Sequence, residues 1–374
     1  MNRRDFLKTS TIAAGLVLPA WSHAAAPFAA APVSTAFTPR PENGWRVFEL
    51  VTRIEPVATD GPIQVWIPLP TVQQSDWSRP MGNLWSGNAT GMYVATDPVY
   101  GATMLHATWP AATAAPALEI VSRCATRDRA VDLAHGGRMP KLAAAERTLY
   151  TRATALLPTD GIVLDTAREI TRGAKSDEAK ARAIYDWIVD NTFRNPKTRG
   201  CGLGDIRAML ETGDLSGKCA DLNALYVGLA RSLGLPARDV YGVRVADSRY
   251  GYKSLGKSGD VSKAQHCRAE VWLEHAGWVP VDPADVRKVA LEEPPGGLPL
   301  SDPKVVAARN TLFGAWEMNW LAYNFGHDIR LPGSEGPETP YLMYPQGENR
   351  DGRFDSLDPA NFRYTLSARE VTGA

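Results

Sequence analysis

Three residues carry the chemistry this sequence can do: Cys219, His266 and Asp282. Cys219 stands in Ser-Gly-Lys-Cys-Ala-Asp-Leu-Asn-Ala-Leu-Tyr (216–226), where an amphipathic helix begins. A helix N-terminus stabilises a thiolate, because unpaired backbone N–H groups and the dipole favour negative charge there. A histidine within reach takes the thiol proton, and an aspartate fixes that ring's tautomer and orientation. Backbone N–H groups around Cys219 are also placed to bind the oxyanion of a tetrahedral intermediate.

Strand parity brings the other two residues to one side. In His266–Glu274, Cys267, Ala269, Val271 and Leu273 share one face, and His266, Arg268, Glu270 and Trp272 share the other. After a turn at His275-Ala276-Gly277, Val279 and Val281 oppose Trp278, Pro280 and Asp282. Matching the apolar faces sets His266 and Asp282 on the same side of a hairpin, at a separation that parity does not fix.

The residues alone leave other readings open. Cys219 fits a core helix, His266 a satisfied strand histidine, and Asp282 before Pro283 a turn. Cys201, Cys219, His266 and Cys267 are the right types for zinc. They lack paired C-x-x-C spacing, and His266 and Cys267 point to opposite faces, so no metal is expected. No D-x-[DN]-x-[DN]-G loop, G-x-G-x-x-G or G-x-x-x-x-G-K-[ST] is present, so no calcium or nucleotide cofactor is expected either. Asp221 reads as a first-turn acid, and Glu270 as a structural hydrogen-bonder. No second oxyanion donor stands out among Asn191, Asn195, Trp187 and Tyr185. Trp272 and Trp278 read as core, and His327-Asp328 as a turn. With Cys219 set apart, a disulfide such as Cys201–Cys267 stays open.

The elements that must position this set follow from periodicity. Trp45–Ile54, Ile63–Pro68 and runs near 91–96, 101–109 and 117–125 are strand-like. Residues 44–130 are read as a small antiparallel β-domain. Thr159-Asp160 caps a helix over 162–172, and Ser176 caps another reaching Asn191. The helix opening near Ser216 carries Leu222, Leu225, Tyr226, Leu229 and Leu233 on one side and stops at Gly234. A strand over 239–246, a polar Gly-rich stretch over 247–263 and the hairpin complete a catalytic core over 140–299. Residues 300–374 are read as an extension with short elements, packed on that core.

Ahead of these lie a segment over 1–24 and an Ala/Pro-rich linker over 25–43. Arg3-Arg4, Phe6-Leu7-Lys8, a short apolar run and Ser22-His23-Ala24 resemble a twin-arginine export signal. The run falls short of the roughly 20 residues a spanning helix needs. The chain is therefore expected in the periplasm, without a membrane span once the signal is cleaved. Its 374 residues hold 41 basic and 41 acidic side chains, with no large block of one sign. That balance argues against nucleic acid or an anionic membrane surface as the main partner.

Four blocks occur in order over about 70 residues: Gly217-Lys218-Cys219-Ala220-Asp221-Leu222; Leu235-Pro236-Ala237-Arg238; His266-Cys267-Arg268-Ala269-Glu270-Val271-Trp272; and Gly277-Trp278-Val279-Pro280-Val281-Asp282-Pro283. They resemble the transglutaminase-like superfamily, over roughly 150–295. The resemblance implies an α+β fold, a papain-like core with a nucleophile helix on an antiparallel sheet, here preceded by a β-sandwich-like domain. It implies a Cys–His–Asp catalytic triad mapping onto Cys219, His266 and Asp282. It also implies acyl transfer at an amide bond, with peptidase or amidase hydrolysis expected ahead of cross-linking. The alternative is a module that binds a peptide or envelope component and keeps the triad without using it.

Overall fold

The computed structural model describes residues 36–57, 61–137 and 139–371; the segment read as an export signal and most of the expected linker lie outside them. The strand-like runs of the first third become β1 (Trp45–Pro56), β2 (Ile63–Pro68), β3 (Ser78–Gly87), β4 (Gly91–Thr96), β5 (Thr103–Trp109) and β6 (Leu118–Arg127). They divide between two antiparallel sheets. Ile54, Ile120 and Phe362 of one sheet meet Val65, Ile67 and Leu105 of the other in a shared apolar layer. Each such side chain contributes about 1.5–3 kcal/mol when fully buried, which is what holds the sandwich closed.

The half that carries Cys219, His266 and Asp282 follows the helical periodicity. It contains α1 (Ala144–Thr151), α2 (Gly161–Ile170), α3 (Asp177–Asn191), α4 (Ile206–Thr212) and α5 (Cys219–Ser232). Ser176 caps α3 by accepting from the Ala179 amide at 3.1 Å. Strands β7 (Ala237–Arg244), β8 (Gln265–Leu273) and β9 (Gly277–Val281) follow, then α6 (Pro283–Glu292) and α7 (Pro303–Thr311). Helix α5 packs on β7 and β8 on one side and on α2 and α3 on the other. Every residue from Cys219 to Arg231 is therefore buried. The one-sided apolar stripe expected for this helix understates its burial. Ala220, Ala224, Val227 and Gly228 are small enough to let the second layer close over it.

The last quarter does more than lie on the core. β10 (Trp320–Asn324) pairs with β7 and completes a four-stranded antiparallel sheet in the order β9-β8-β7-β10. β11 (Gln346–Asn349) pairs with β2 in one sandwich sheet, and β12 (Phe362–Val371) pairs along the whole of β1 in the other. The sandwich thus needs both ends of the chain. The alternation that makes β12 a strand is in its sequence: Phe362, Leu366 and Ala368 are buried, and Arg363, Thr365, Ser367 and Arg369 between and beside them are exposed. Residues 259–260, inside the polar stretch, add to the free edge of β12. The end of the linker is also held. Phe37 is buried against Tyr250 and Tyr252, and its carbonyl accepts from Thr311 Oγ1 at 2.6 Å. Among the described residues no helix is long and apolar enough to cross a membrane.

Candidate active site

The hairpin register is the one that parity demands. Ala269 faces Val281, and Val271 faces Val279. One step beyond, Asp282 comes opposite Arg268 and diagonal to His266, within reach of a long side chain. The His266 Nε2–H donates to Asp282 Oδ2 at 2.8 Å, which leaves Nδ1 for the thiol. The Cys219 sulfur lies within hydrogen-bonding reach of that ring and of the thiols of Cys201 and Cys267. The structure thus brings Cys219, His266 and Asp282 together, all three buried.

Each member is held by a neighbour that the sequence reading passed over. Asn223, one turn along α5 from Cys219, donates through Nδ2 to the Cys267 carbonyl at 2.9 Å and to Asp282 Oδ1 at 3.2 Å. That Oδ1 also accepts from the Asp285 amide at 3.0 Å, so Asp282 is both the partner of His266 and the cap of α6. Asp285 is a second buried carboxylate. Its Oδ2 lies 3.4 Å from His266 Nε2, and its Oδ1 accepts from Arg244 Nη2 at 2.5 Å. Spacing offered a signal for both: Asn223 stands at i+4 from Cys219 and Asp285 at i+3 from Asp282, each on the same helical face. Trp320 Nε1 donates to the His266 carbonyl at 2.8 Å. That approach requires Gly242, paired opposite His266, because a Cβ there would meet the Trp320 ring and the Leu321 carbonyl.

Electrostatics favour an ion pair of thiolate and imidazolium. The Cys219 thiol is held well below its ordinary range by hydrogen bonds from Cys201 and then Cys267, against its burial, with His266 adding to the fall. Cys201 also lies 3.2 Å from the Gln265 carbonyl, and its single proton goes to the charged acceptor once Cys219 ionises. For His266, burial and the Arg244 charge push downward. The charges of Asp285 and Asp282, with the Asp282 hydrogen bond, outweigh them and raise it to about 9. Of the two carboxyls, Asp285 holds its charge more firmly. Arg244, His266 and Arg268 overcome its burial, whereas burial and the Asp285 charge raise Asp282.

His266, Asp282 and Asp285 offer ligand atoms within 4.8 Å of one another. Their lone pairs already serve Arg244, Asn223, the Asp285 amide and the imidazole, and Arg268 Nε stands 3.7 Å from Asp282. This donor set suits an imidazolium better than a metal ion. All four cysteines are free.

The remaining candidates separate by position. Asp221 accepts from the Lys218, Leu203 and Gly204 amides, bracing the loop before α5. Glu270 is fully buried between Arg129 and Arg238, away from the thiol. Trp278 packs on Trp272 and under Arg238. Asn191, Asn195 and Tyr185 donate to the Trp187 carbonyl, Ser216 Oγ and the Arg309 carbonyl. None of these three, nor Trp187, lines the cavity at Cys219. His327 faces Asp239 instead, and Asp328 accepts from the Ala155 amide. The Cys219 amide, by contrast, opens α5 and makes no backbone hydrogen bond among the described residues, as first-turn N–H groups do.

Cys219 and His266 open onto a cavity of about 630 Å³, within the range of small-ligand clefts. The polar stretch forms one wall through Lys257, Asp260 and Lys263. Tyr344, Leu357 and Tyr364 of the last quarter form another. The cleft is therefore bordered by both the catalytic sheet and the sandwich.

A model of the Transglutaminase-like superfamily matches residues 164–283, the span from α2 to the start of α6. An uncharacterized protein of Haemophilus influenzae is 34% identical over 334 residues, covering 85% of this chain and 89% of that one. Among solved structures, a candidate cysteine protease from Cytophaga hutchinsonii superposes with a TM-score of 0.52 at 13% identity, over 87% of this chain and 98% of that one. The periplasmic domain of TgpA from Pseudomonas aeruginosa gives 0.34 at 16% identity, over 66% and 88%.

Proposed function

The chain belongs to the transglutaminase-like superfamily, and from that premise we propose that it is a thiol hydrolase of amide bonds, acting through a Cys219 acyl-enzyme. The observation that carries this reading is the juxtaposition of Cys219, His266 and Asp282, with Cys219 and His266 on the wall of a cavity of about 630 Å³. The thiolate attacks a substrate carbonyl, and the oxyanion is met by the Cys219 amide. The C–N bond breaks as His266, protonated at Nδ1, gives its proton to the leaving amine. Water, deprotonated by the same nitrogen, then releases the acid and restores the thiol pair.

Water is favoured over an amine as acceptor by the charge of the cleft. Lysines and arginines line it, with Asp260 as its one exposed carboxylate, and such a surface repels a protonated amine. The twin-arginine pattern supports action in the periplasm, on a protein or peptide. No cofactor is needed for these steps.

Purified protein and its Cys219→Ala variant, incubated with a peptide library and a primary amine, test the reading. Cleavage present in the parent and lost in the variant is expected. Amine incorporation without cleavage would make the acceptor an amine. Neither reaction would leave a binding module that retains the triad.

A further inference from the structure

The chain as a whole is balanced in charge, so a one-signed cavity is a local feature. Three arginines on the wall are already paired: Arg194 with Glu292, Arg199 with Asp355 and Arg244 with Asp285. Four lysines are left. Lys257 and Lys263 are exposed and make no ion pair among the described residues. Lys218, next to the thiol, donates to the Thr198 carbonyl at 2.7 Å and has no carboxylate partner there. Lys288 stands one turn beyond Asp285 and reaches Glu292 only at 3.8 Å. Burial, followed by the Arg244 charge, pushes Lys288 down to about 8. An arriving anion would hold its charge to higher pH. Against these four, Asp260 is the one carboxylate among the described lining residues, and it feels the charges of Lys257 and Lys263.

A neutral donor points the same way. Gln265 is buried on the cavity wall, and its Nε2 amide group has no hydrogen-bond partner among the described residues. A buried N–H₂ left without an acceptor is destabilising, and a ligand oxygen in the cavity would remove that cost. Facing these donors, Tyr344, Leu357, Phe362 and Tyr364 give the cleft an apolar side.

We propose that the cleft selects an acidic acyl donor: a peptide carrying a carboxylate close to the amide that Cys219 attacks, with an apolar group beside it. The carboxylate lies among Lys218, Lys257, Lys263 and Lys288 and accepts from Gln265. The apolar group rests on the strands and loops of the last quarter. This rests on the reading of Cys219 as the nucleophile.

Alkylation of Cys219 separates the two. The full chain is treated with iodoacetate, an anion, and with iodoacetamide, its neutral counterpart of the same size. Labelling of Cys219 is followed by mass spectrometry, and each rate is divided by that of a free small thiol. The normalised ratio should favour iodoacetate by about tenfold at low salt and fall as ionic strength rises. Because the His266 imidazolium contributes to that preference, the lysines are tested directly. Lys257→Gln combined with Lys263→Gln, both at exposed positions, should lower the ratio about threefold or more. Lys175→Gln, exposed and outside the cleft, should leave it at the parental value. A glutamate-bearing hexapeptide should also slow iodoacetamide labelling at lower concentrations than its glutamine counterpart. A ratio unmoved by the paired lysine substitutions, or equal protection by the two peptides, overturns the selection while leaving the nucleophile in place. Iodoacetamide labelling no faster than the free thiol near neutral pH overturns both.

Discussion

Among the described residues two buried histidines, His266 and His327, stand against aspartates, and only His266 has the geometry an acid–base device needs. His266 Nε2 stands 2.8 Å from Asp282, and His327 Nε2 stands 3.2 Å from Asp239. All four residues are buried. In the first pair the carboxylate is aimed: Asn223 and the Asp285 amide hold Oδ1, so Oδ2 faces the ring. In the second, neither Asp239 oxygen nor His327 Nε2 makes a well-aligned hydrogen bond among the described residues. Tyr100 and Tyr241 close over His327 at 6.1 and 5.7 Å between ring centroids. The first pair meets a thiol at a cavity, whereas neither His327 nor Asp239 lines that cavity. Residue type and burial are shared, so they do not make a site. Alignment, a nucleophile and access do.

Substituting each histidine is the widest test of that difference. His266→Ala should slow iodoacetamide labelling of Cys219 near neutral pH, and peptide cleavage, by about a hundredfold or more. His327→Ala should leave the labelling rate within about twofold of the parent and lower stability in chemical denaturation by about 1–3 kcal/mol, as expected for a buried polar contact. If His327→Ala proved as damaging to Cys219 reactivity as His266→Ala, the contrast between the pairs would collapse.

The second test concerns pH. Peptide cleavage should rise as pH passes the depressed value of Cys219 and fall as His266 loses the proton it gives to the leaving amine, near about 9. Because His266 is raised in the folded state, its contribution to stability is full below its ordinary value of about 6.5 and is lost as pH climbs through about 9. In a Cys219→Ala background, the stability gap between His266 and His266→Gln should therefore narrow over that window. Asp285→Asn removes one of the two carboxylates that raise His266. The alkaline fall should then move to lower pH. Arg244 would be left buried without its partner, at a cost of about 3–5 kcal/mol. An alkaline limb unmoved in a folded Asp285→Asn protein would remove Asp285 from the site.

Asn223→Ala tests alignment alone. It frees Asp282 Oδ1 from its side-chain donor while leaving the Asp285 amide in place. A fall of about tenfold in kcat/KM for peptide cleavage is expected, in line with the loss of a buried hydrogen bond to a charged group. An unchanged kcat/KM would show that the α6 cap alone suffices to aim Asp282.

What was legible beforehand follows from period and parity. The hairpin faces depend only on alternation, so the shared side of His266 and Asp282 could be read, and the observed register keeps it. The start of α5 was marked by polar and small residues before an apolar run, and Cys219 is its first residue. The second carboxylate was not legible as such. Asp285 sits after a proline in what reads as a turn, and only the folding of 283–292 into a helix places it under His266. The role of the last quarter was hidden by distance along the chain. β12 finds its partner β1 more than 300 residues away, and no local pattern specifies such a pairing. Gln265 lies just ahead of the strand read over His266–Glu274, and its unpaired amide becomes visible only once the cavity exists.

The finest test asks what lowers the thiol in the first pair, since the second has none to tune. The first contribution is the Cys201 thiol, whose backbone is fixed by the Ala220 amide donating to its carbonyl at 2.9 Å. Cys201→Ala removes the donor and keeps the backbone. On the acid side of the profile, iodoacetamide labelling of Cys219 should slow about fivefold, the worth of one hydrogen bond of about 1 kcal/mol. On the plateau, where the thiolate is fully formed in either protein, the rates should converge. Cys201→Ser supplies a hydroxyl donor at the same position, and it should return most of the loss. If serine and alanine behaved alike, the donor role would fall, and His266 would stand as the main source of the thiolate. If both variants matched the parent, neither Cys201 nor its proton would bear on the site. The convergence at high pH is the decisive feature, because a merely structural disturbance would depress the plateau as well.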